Sequence, residues 1–336
     1  MRIVLERKLR RDPYFDSALG AWVLRRYADV LAALHDPRLS PVGTTSRETR
    51  SHTRAALSLS RIVDWQSQIE PLARSMMDAL PSDRQVDMVS EFAQPWCVEL
   101  ACIVTGVDRK DRRQLTQLAR RVSAAAADPD DPELKSAASA ANDELGRSVP
   151  GESIPMAGPA FVALSQTLPA FLARAWLALF RHPAQLSRLR EDAGLMPGAL
   201  EELLRYAGLA RVIFRVTRAA VDLGGVRIAE GERVALMLNS ANYDPDQFPE
   251  PNRLDLARQA AGHVAFGSGS HSCVGASLIR MPAMVATSVF VQKFGAAELR
   301  EPVEWRGGAG FRTPVALFAL PRPPSNRLPH AGSARS

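Results

Sequence analysis

Cys273, one of three cysteines, ends a glycine-rich stretch that reads Phe266-Gly267-Ser268-Gly269-Ser270-His271-Ser272-Cys273-Val274-Gly275 and runs into Ala276–Arg280. Glycines allow a tight turn and let the backbone approach something flat. A cysteine where a loop meets a helix N-terminus finds free N–H groups and the positive end of the dipole, which favour a thiolate. A thiolate held by backbone donors suits an axial ligand to haem iron, because it pushes electron density towards the metal. The competing reading is a buried structural cysteine behind a turn.

A second pair could hold structure around such a site. Glu202 and Arg205 stand at i, i+3 in ALEELLRY, on one helix face. Taken alone, such a pair is a surface ion pair of small value.

Together these residues carry a resemblance. The cysteine segment resembles the haem-binding signature of cytochromes P450, F-G-x-G-x-H-x-C-x-G, at every fixed position. Glu202-Leu203-Leu204-Arg205 resembles that family's E-x-x-R helix, whose pair joins a later arginine under the haem. Arg253, in FPEPNRLD, is the arginine that matches. The resemblance implies haem b with Cys273 as axial ligand and Phe266, Gly267 and Gly275 forming the cofactor loop. It also implies propionate contacts from His271 and Arg215, with His52 as a further contact. The likeness extends over roughly residues 20–127 and 160–320, with WVLRRYADVLAALHDPRLS matching an early strand and helix.

Three departures bear on chemistry. The segment before His52 is short where the family has a long substrate-capping loop, and Ala56 stands where the H-T-R-x-R stretch has its second arginine. Residues 128–159 replace several helices that usually roof the pocket. Counting back from His182-Pro183, the oxygen-activating A-G-x-[DE]-T element falls on Ala163-Leu164-Ser165-Gln166-Thr167. Thr167 keeps the hydroxyl. Gln166 replaces an acid with an amide that can hydrogen-bond but not titrate usefully. Leu164 in place of glycine is expected to crowd the space above the iron. A competing reading makes Gln166 and Thr167 caps of a kinked helix.

The elements that must position these residues are mostly helices. Apolar spacing predicts helices over Tyr27–Leu34, Ile69–Leu80, Val89–Val104, Asp111–Ala126, Ala160–Arg181, Pro197–Tyr206 and Cys273–Phe294. Pro169 is expected to kink the strongest of them, Ala160–Arg181. Short alternating runs over Ala220–Leu238, separated by Gly224-Gly225 and Glu230-Gly231, predict small strands. Residues 40–51 read as a loop and 128–159 as a hinge or flexible cover with one short possible helix. The expected fold is mainly α with small β-sheets, a cytochrome P450-like fold lacking much of the distal roof. It forms one haem domain over 1–320, with a disordered tail at 321–336.

Composition excludes several classes. Apolar residues make up 46% of the 336 residues and charged residues 23%, which fits a globular core rather than disorder. The net charge of +6 comes mostly from scattered arginines, which argues against nucleic acid and leaves an acidic redox protein as a partner. Cys97, Cys102 and Cys273 form no C-x-x-C pair, so neither a disulfide framework nor zinc is indicated and a reducing cytoplasm is expected. No membrane span is expected, and MRIVLERKLRR lacks the apolar stretch of a signal peptide.

The resemblance implies a monooxygenase-type or peroxide-driven oxidoreductase of secondary metabolism. It would act on a small or carrier-bound organic substrate, with electrons from a ferredoxin-type donor. The departures leave a second reading open: a catalytically impaired haem protein acting as a partner or scaffold, its shortened distal face covered by another chain.

Overall fold

The computed structural model describes residues 13–41, 46–129, 131–150, 154–308 and 310–321. The basic N-terminal MRIVLERKLRR and all of the expected tail except Pro321 lie outside the described residues. The described part is mostly helical, with four small sheets. The largest sheet orders its strands Tyr14–Asp16, Ala21–Leu24, Arg233–Leu236, Ile213–Thr217 and Leu39–Ser40. Ala21–Leu24 runs parallel to Arg233–Leu236, and the other pairs are antiparallel. Val221–Leu223 and Val226–Ile228 form a hairpin whose turn residues Gly224 and Gly225 both have positive φ, the geometry that glycine adopts without strain.

Several helices are longer or placed differently than their spacing predicts. Ile69–Leu80 is the second half of Leu59–Asp78. Part of the expected loop 40–51 belongs to the helix Arg47–Ala56, whose N-cap Ser46 accepts a hydrogen bond from the Thr49 N–H. Within 128–159, expected to be a hinge or flexible cover with one short possible helix, 17 consecutive residues are helical. Asp131 caps a helix over Pro132–Ser148, which packs against Arg112–Ala127 and buries Ala141 and Leu145. Its small alanines and serines hid its extent, because they give almost no apolar periodicity.

The central helix runs from Ala157 to Arg181. Five of its residues, Ala163–Thr167, form a π-helical turn, and Pro169 is the second residue of the α-helix that follows, Leu168–Arg181. Proline's missing N–H makes that position suit the end of a widened turn. The helix is apolar and long enough to cross a membrane by composition, but 67% of its most apolar window is buried in this fold, as befits a core helix. Trp176 is fully buried and stacks on Phe290 at 4.7 Å, while its Nε1 donates to Thr287 Oγ1 at 3.3 Å. Phe290 and Thr287 belong to Ala276–Phe294, the helix behind Cys273. This stacking therefore sets the spacing between the cysteine side and the central helix.

An ionic trio holds the segment leading to the cysteine loop, and it differs from the expected one. Glu202 and Arg205 are fully buried and bonded twice, at 2.7 and 2.8 Å. Arg205 also donates to the carbonyls of Asn242 and Pro251. The third member is Arg258, whose Nε donates to Glu202 Oε1 at 3.2 Å. Arg258 also binds the carbonyls of Pro249 and Glu250. Arg253 is exposed and pairs with Glu250 at 3.3 Å, so the expectation that it completes the trio is wrong. A carboxylate buried against two arginines needs both, since removing one leaves charge uncompensated away from water. Arg258→Ala should destabilise the protein by about 2–4 kcal/mol and Arg253→Ala by less than about 0.5 kcal/mol, read by urea denaturation.

Candidate cofactor site

The cysteine loop packs against the helix Tyr27–His35 and runs into the helix Ala276–Phe294. Val264 O accepts from the Gly267 N–H at 2.9 Å, Phe266 O from the Cys273 N–H at 2.8 Å, and Gly269 O from the Ser272 N–H at 3.1 Å. Gly269 has φ +70°, and a Cβ there would sit 2.7 Å from the Leu34 carbonyl oxygen, so only glycine allows this approach. His35 Nε2 and Ser268 Oγ lie 2.8 Å apart and tie the loop to the helix Tyr27–His35.

Glu201 fastens the other side. It accepts two bonds from Arg280, at 2.7 and 2.9 Å, and lies 3.0 Å from His263 Nε2. Arg280 stacks over the Phe266 ring at 4.7 Å. None of Glu201, His263 and Arg280 stood out as site residues in the sequence. Glu201 is hidden beside Glu202, although Arg280 lies two helical turns after Cys273.

A cavity of about 660 Å³ opens above the loop. Cys273 is the only cysteine lining it, with Phe266, Gly267 and Gly275 beside it. The Cys273 side chain opens on the cavity although the residue lies deep in the protein. Burial pushes its thiol up, and the Gly275 N–H, Arg50 and Arg280 oppose this by favouring the thiolate. Cys97 and Cys102 are buried elsewhere in the core, and burial pushes both thiols up, Cys102 to about 11.

The central helix contributes the wall with Ala160, Ala163 and Thr167. Gln166 does not line the cavity, and its Nε2 donates to Ser165 Oγ at 3.3 Å. Leu164 points into the core, fully buried, so it does not crowd the cavity as expected; Ala163 occupies that wall. The wide turn causes this, because an extra residue per turn shifts which side chains face one way. Gln94 Nε2 donates to the Ser165 carbonyl at 2.8 Å, which satisfies an acceptor in the widened turn.

Among the described residues, Arg215, His271 and Arg50 are the cationic or potentially cationic ones in the lining, and none in it is a carboxylate. Arg215 is buried and donates to the Phe214 carbonyl. Burial and then neighbouring arginines push Arg215 and His271 below their ordinary values. His52 is exposed and lies outside the cavity lining, whereas Arg50 and Thr53 of the same helix are in it. An apolar cavity with a thiol on one face, glycines beside it and uncompensated cations fits a flat apolar cofactor that carries a metal and carboxylates.

Comparisons with known proteins agree with this geometry. The family model "Cytochrome P450" matches residues 187–305. The chain is 31% identical to cytochrome P450 107B1 of Saccharopolyspora erythraea, over 83% of this chain and 83% of that protein. It is 31% identical to a vitamin D(3) 25-hydroxylase of Pseudonocardia autotrophica, over 79% of this chain and 78% of that protein. Among solved structures it is similar to the LnmA cytochrome P450 hydroxylase of Streptomyces atroolivaceus, with a TM-score of 0.75, 29% identity and coverage of 89% and 90%. P450BioI in complex with a fatty-acid-ligated acyl carrier protein has the same fold, with a TM-score of 0.84, 24% identity and coverage of 93% and 96%.

The Glu201 cluster gives a pH prediction. Burial raises its carboxyl, but His263 and Arg280 outweigh this and bring it down to about 2. A depressed folded value stabilises the fold above the unfolded value, near 4.3, and that contribution is lost as pH falls towards 2. Glu201→Gln should cost about 1–2 kcal/mol at pH 5 and progressively less towards pH 2, read by urea denaturation of the cofactor-free protein.

Proposed function

The chain belongs to the cytochrome P450 family, whose cofactor is haem with a cysteine thiolate as axial ligand, and from that premise we propose that it is a monooxygenase-type oxidoreductase acting on a small or carrier-bound organic substrate. The observation that carries this reading is that Cys273 and Thr167 line the same cavity. Bound haem supplies activation of dioxygen or peroxide at its iron.

The chain's own residues would do the rest. Cys273 holds the metal, with the Gly275 N–H and the Arg50 charge favouring its thiolate. Thr167 Oγ1 can accept a hydrogen bond from water and donate one into the cavity, and so could help relay protons there. Gln166 cannot supply that proton, because an amide does not titrate, so in this reading protons reach Thr167 through water from the cavity mouth. The apolar lining of Leu209, Val212, Ile213 and Phe311 excludes bulk water and grips an apolar substrate. Related proteins include the 6-deoxyerythronolide B hydroxylase of Saccharopolyspora erythraea and the monooxygenase PikC of Streptomyces venezuelae, so oxidation in secondary metabolism is the context we assign. We also assign a ferredoxin-type electron donor and a cytoplasmic setting, as expected of the bacterial members.

One observation favours a second reading. With Gln166 in place of the acid and outside the cavity lining, proton delivery lacks its usual group. A peroxide-driven reaction needs less of it, and a scaffold protein needs none.

Reduction under carbon monoxide should give the strongly red-shifted Soret band of thiolate ligation, and Cys273→Ala should abolish it. A neutral-thiol or absent signal in the wild type would refute the site. With a ferredoxin system and an accepted substrate, Thr167→Ala should lower product formed per NAD(P)H by roughly tenfold or more, with the difference appearing as hydrogen peroxide. Absence of turnover with either dioxygen or peroxide across a broad substrate panel would favour the scaffold.

A further inference from the structure

The haem reading leaves open which groups of this chain meet the carboxylate arms of the cofactor, and the inference below rests on that reading. The helix Arg47–Ala56 is where the resemblance puts one such contact, at His52. Its phase in the structure turns that position outward. Arg50, Thr53 and Leu57, at i, i+3 and i+7, line the cavity, and His52 is exposed. Ala56 has no group to offer. The cation this helix delivers to the cavity is Arg50.

Arg50 is also joined to the cysteine loop. Its Nη2 donates to the Ser272 carbonyl at 2.5 Å and to the Ser270 carbonyl at 3.2 Å. These carbonyls flank His271, and Ser272 immediately precedes Cys273. A guanidinium carries five N–H donors in a planar fork. With Nη2 committed to the loop, the rest of the fork remains for a carboxylate. Among the described residues no carboxylate pairs with Arg50, Arg215 or His271, although all three line the same cavity. Like charges gathered in a partly buried place raise the free energy until an anion joins them. Burial and Arg54 push Arg50 below its ordinary value, and Arg50 in turn lowers Arg215 and His271.

We propose that Arg50 is the haem-carboxylate partner supplied by this helix, in the place left by the outward His52 and by Ala56, and that it links that carboxylate to the cysteine loop through the carbonyls of Ser270 and Ser272. A carboxylate on the free edge of the fork completes a charge-assisted contact. The same side chain then holds the cofactor's edge and the backbone that carries its metal ligand.

The test separates charge pairing from mere bracing of the loop. Apoprotein is reconstituted with haem or with haem dimethyl ester, which has no carboxylates. Cofactor loss to excess apomyoglobin is then timed for the wild type, Arg50→Ala, Arg50→Gln and His52→Ala. Arg50→Gln keeps donors for the loop carbonyls without the charge, so it covers the case in which the alanine variant fails to fold. We expect Arg50→Gln to speed haem loss about tenfold or more, to change loss of the ester less than about twofold, and His52→Ala to change neither. Equal acceleration of haem and ester loss would overturn the proposal in favour of bracing alone. So would a haem-selective effect at His52 rather than Arg50. A wild-type protein that takes up neither cofactor would overturn the haem reading itself, a result distinct from both.

Discussion

Two adjacent glutamates, Glu201 and Glu202, hold the organisation of the site together. They project from one turn of the helix Met196–Ala207 in different directions. Glu202 enters the core and gathers Arg205 and Arg258, which grip backbone carbonyls at Asn242, Pro249, Glu250 and Pro251. Glu201 faces the cysteine side and gathers Arg280 and His263. The long irregular stretch before Cys273 has almost no regular structure, so its shape is fixed by these charge-assisted bonds rather than by a ladder of its own. Moving that one helical turn would displace the loop's approach and its exit together.

Packing then carries this placement across the molecule. Arg280 lies in the second turn of a helix that further along stacks Phe290 on Trp176. The wall bearing Thr167 is therefore set by an aromatic contact nine residues further along its own helix, and the thiol by an ionic contact on the opposite side. Close packing transmits such constraints with little slack. Gln94, from a neighbouring helix that also starts after a π-helical turn, holds the widened turn by its Ser165 carbonyl.

The cysteine loop was legible because its chemistry needs a fixed order of residue types within a short segment. The long helices were legible because their apolar stripes repeat. Arg258 was misassigned because two arginines stand near each other in FPEPNRLDLAR, and only the three-dimensional path of the chain shows which one returns to Glu202. The helix Pro132–Ser148 was legible only as one short possible helix, because alanine and serine pack without leaving a strong pattern. Arg50 was invisible for a different reason. It falls in what reads as a loop, and helical phase, which decides between Arg50 and His52, cannot be read where no helix is expected. The position of Leu164 was misjudged because ordinary α-helical phase does not hold through Ala163–Thr167.

That widened turn also determines which changes in length the chain tolerates. One residue added to or removed from an α-helix rotates everything beyond it by roughly 100°. The π-helical turn absorbs one such step, so Ala157–Val162 and Leu168–Arg181 keep separate angular settings. Deleting one of the five residues would let the helix rewind to regular geometry with both flanks near their present angles. The same deletion elsewhere in the helix would turn one flank against the core by that angle. Ala163–Thr167 is thus the stretch of this helix where the gene can lose a codon at the least cost in geometry.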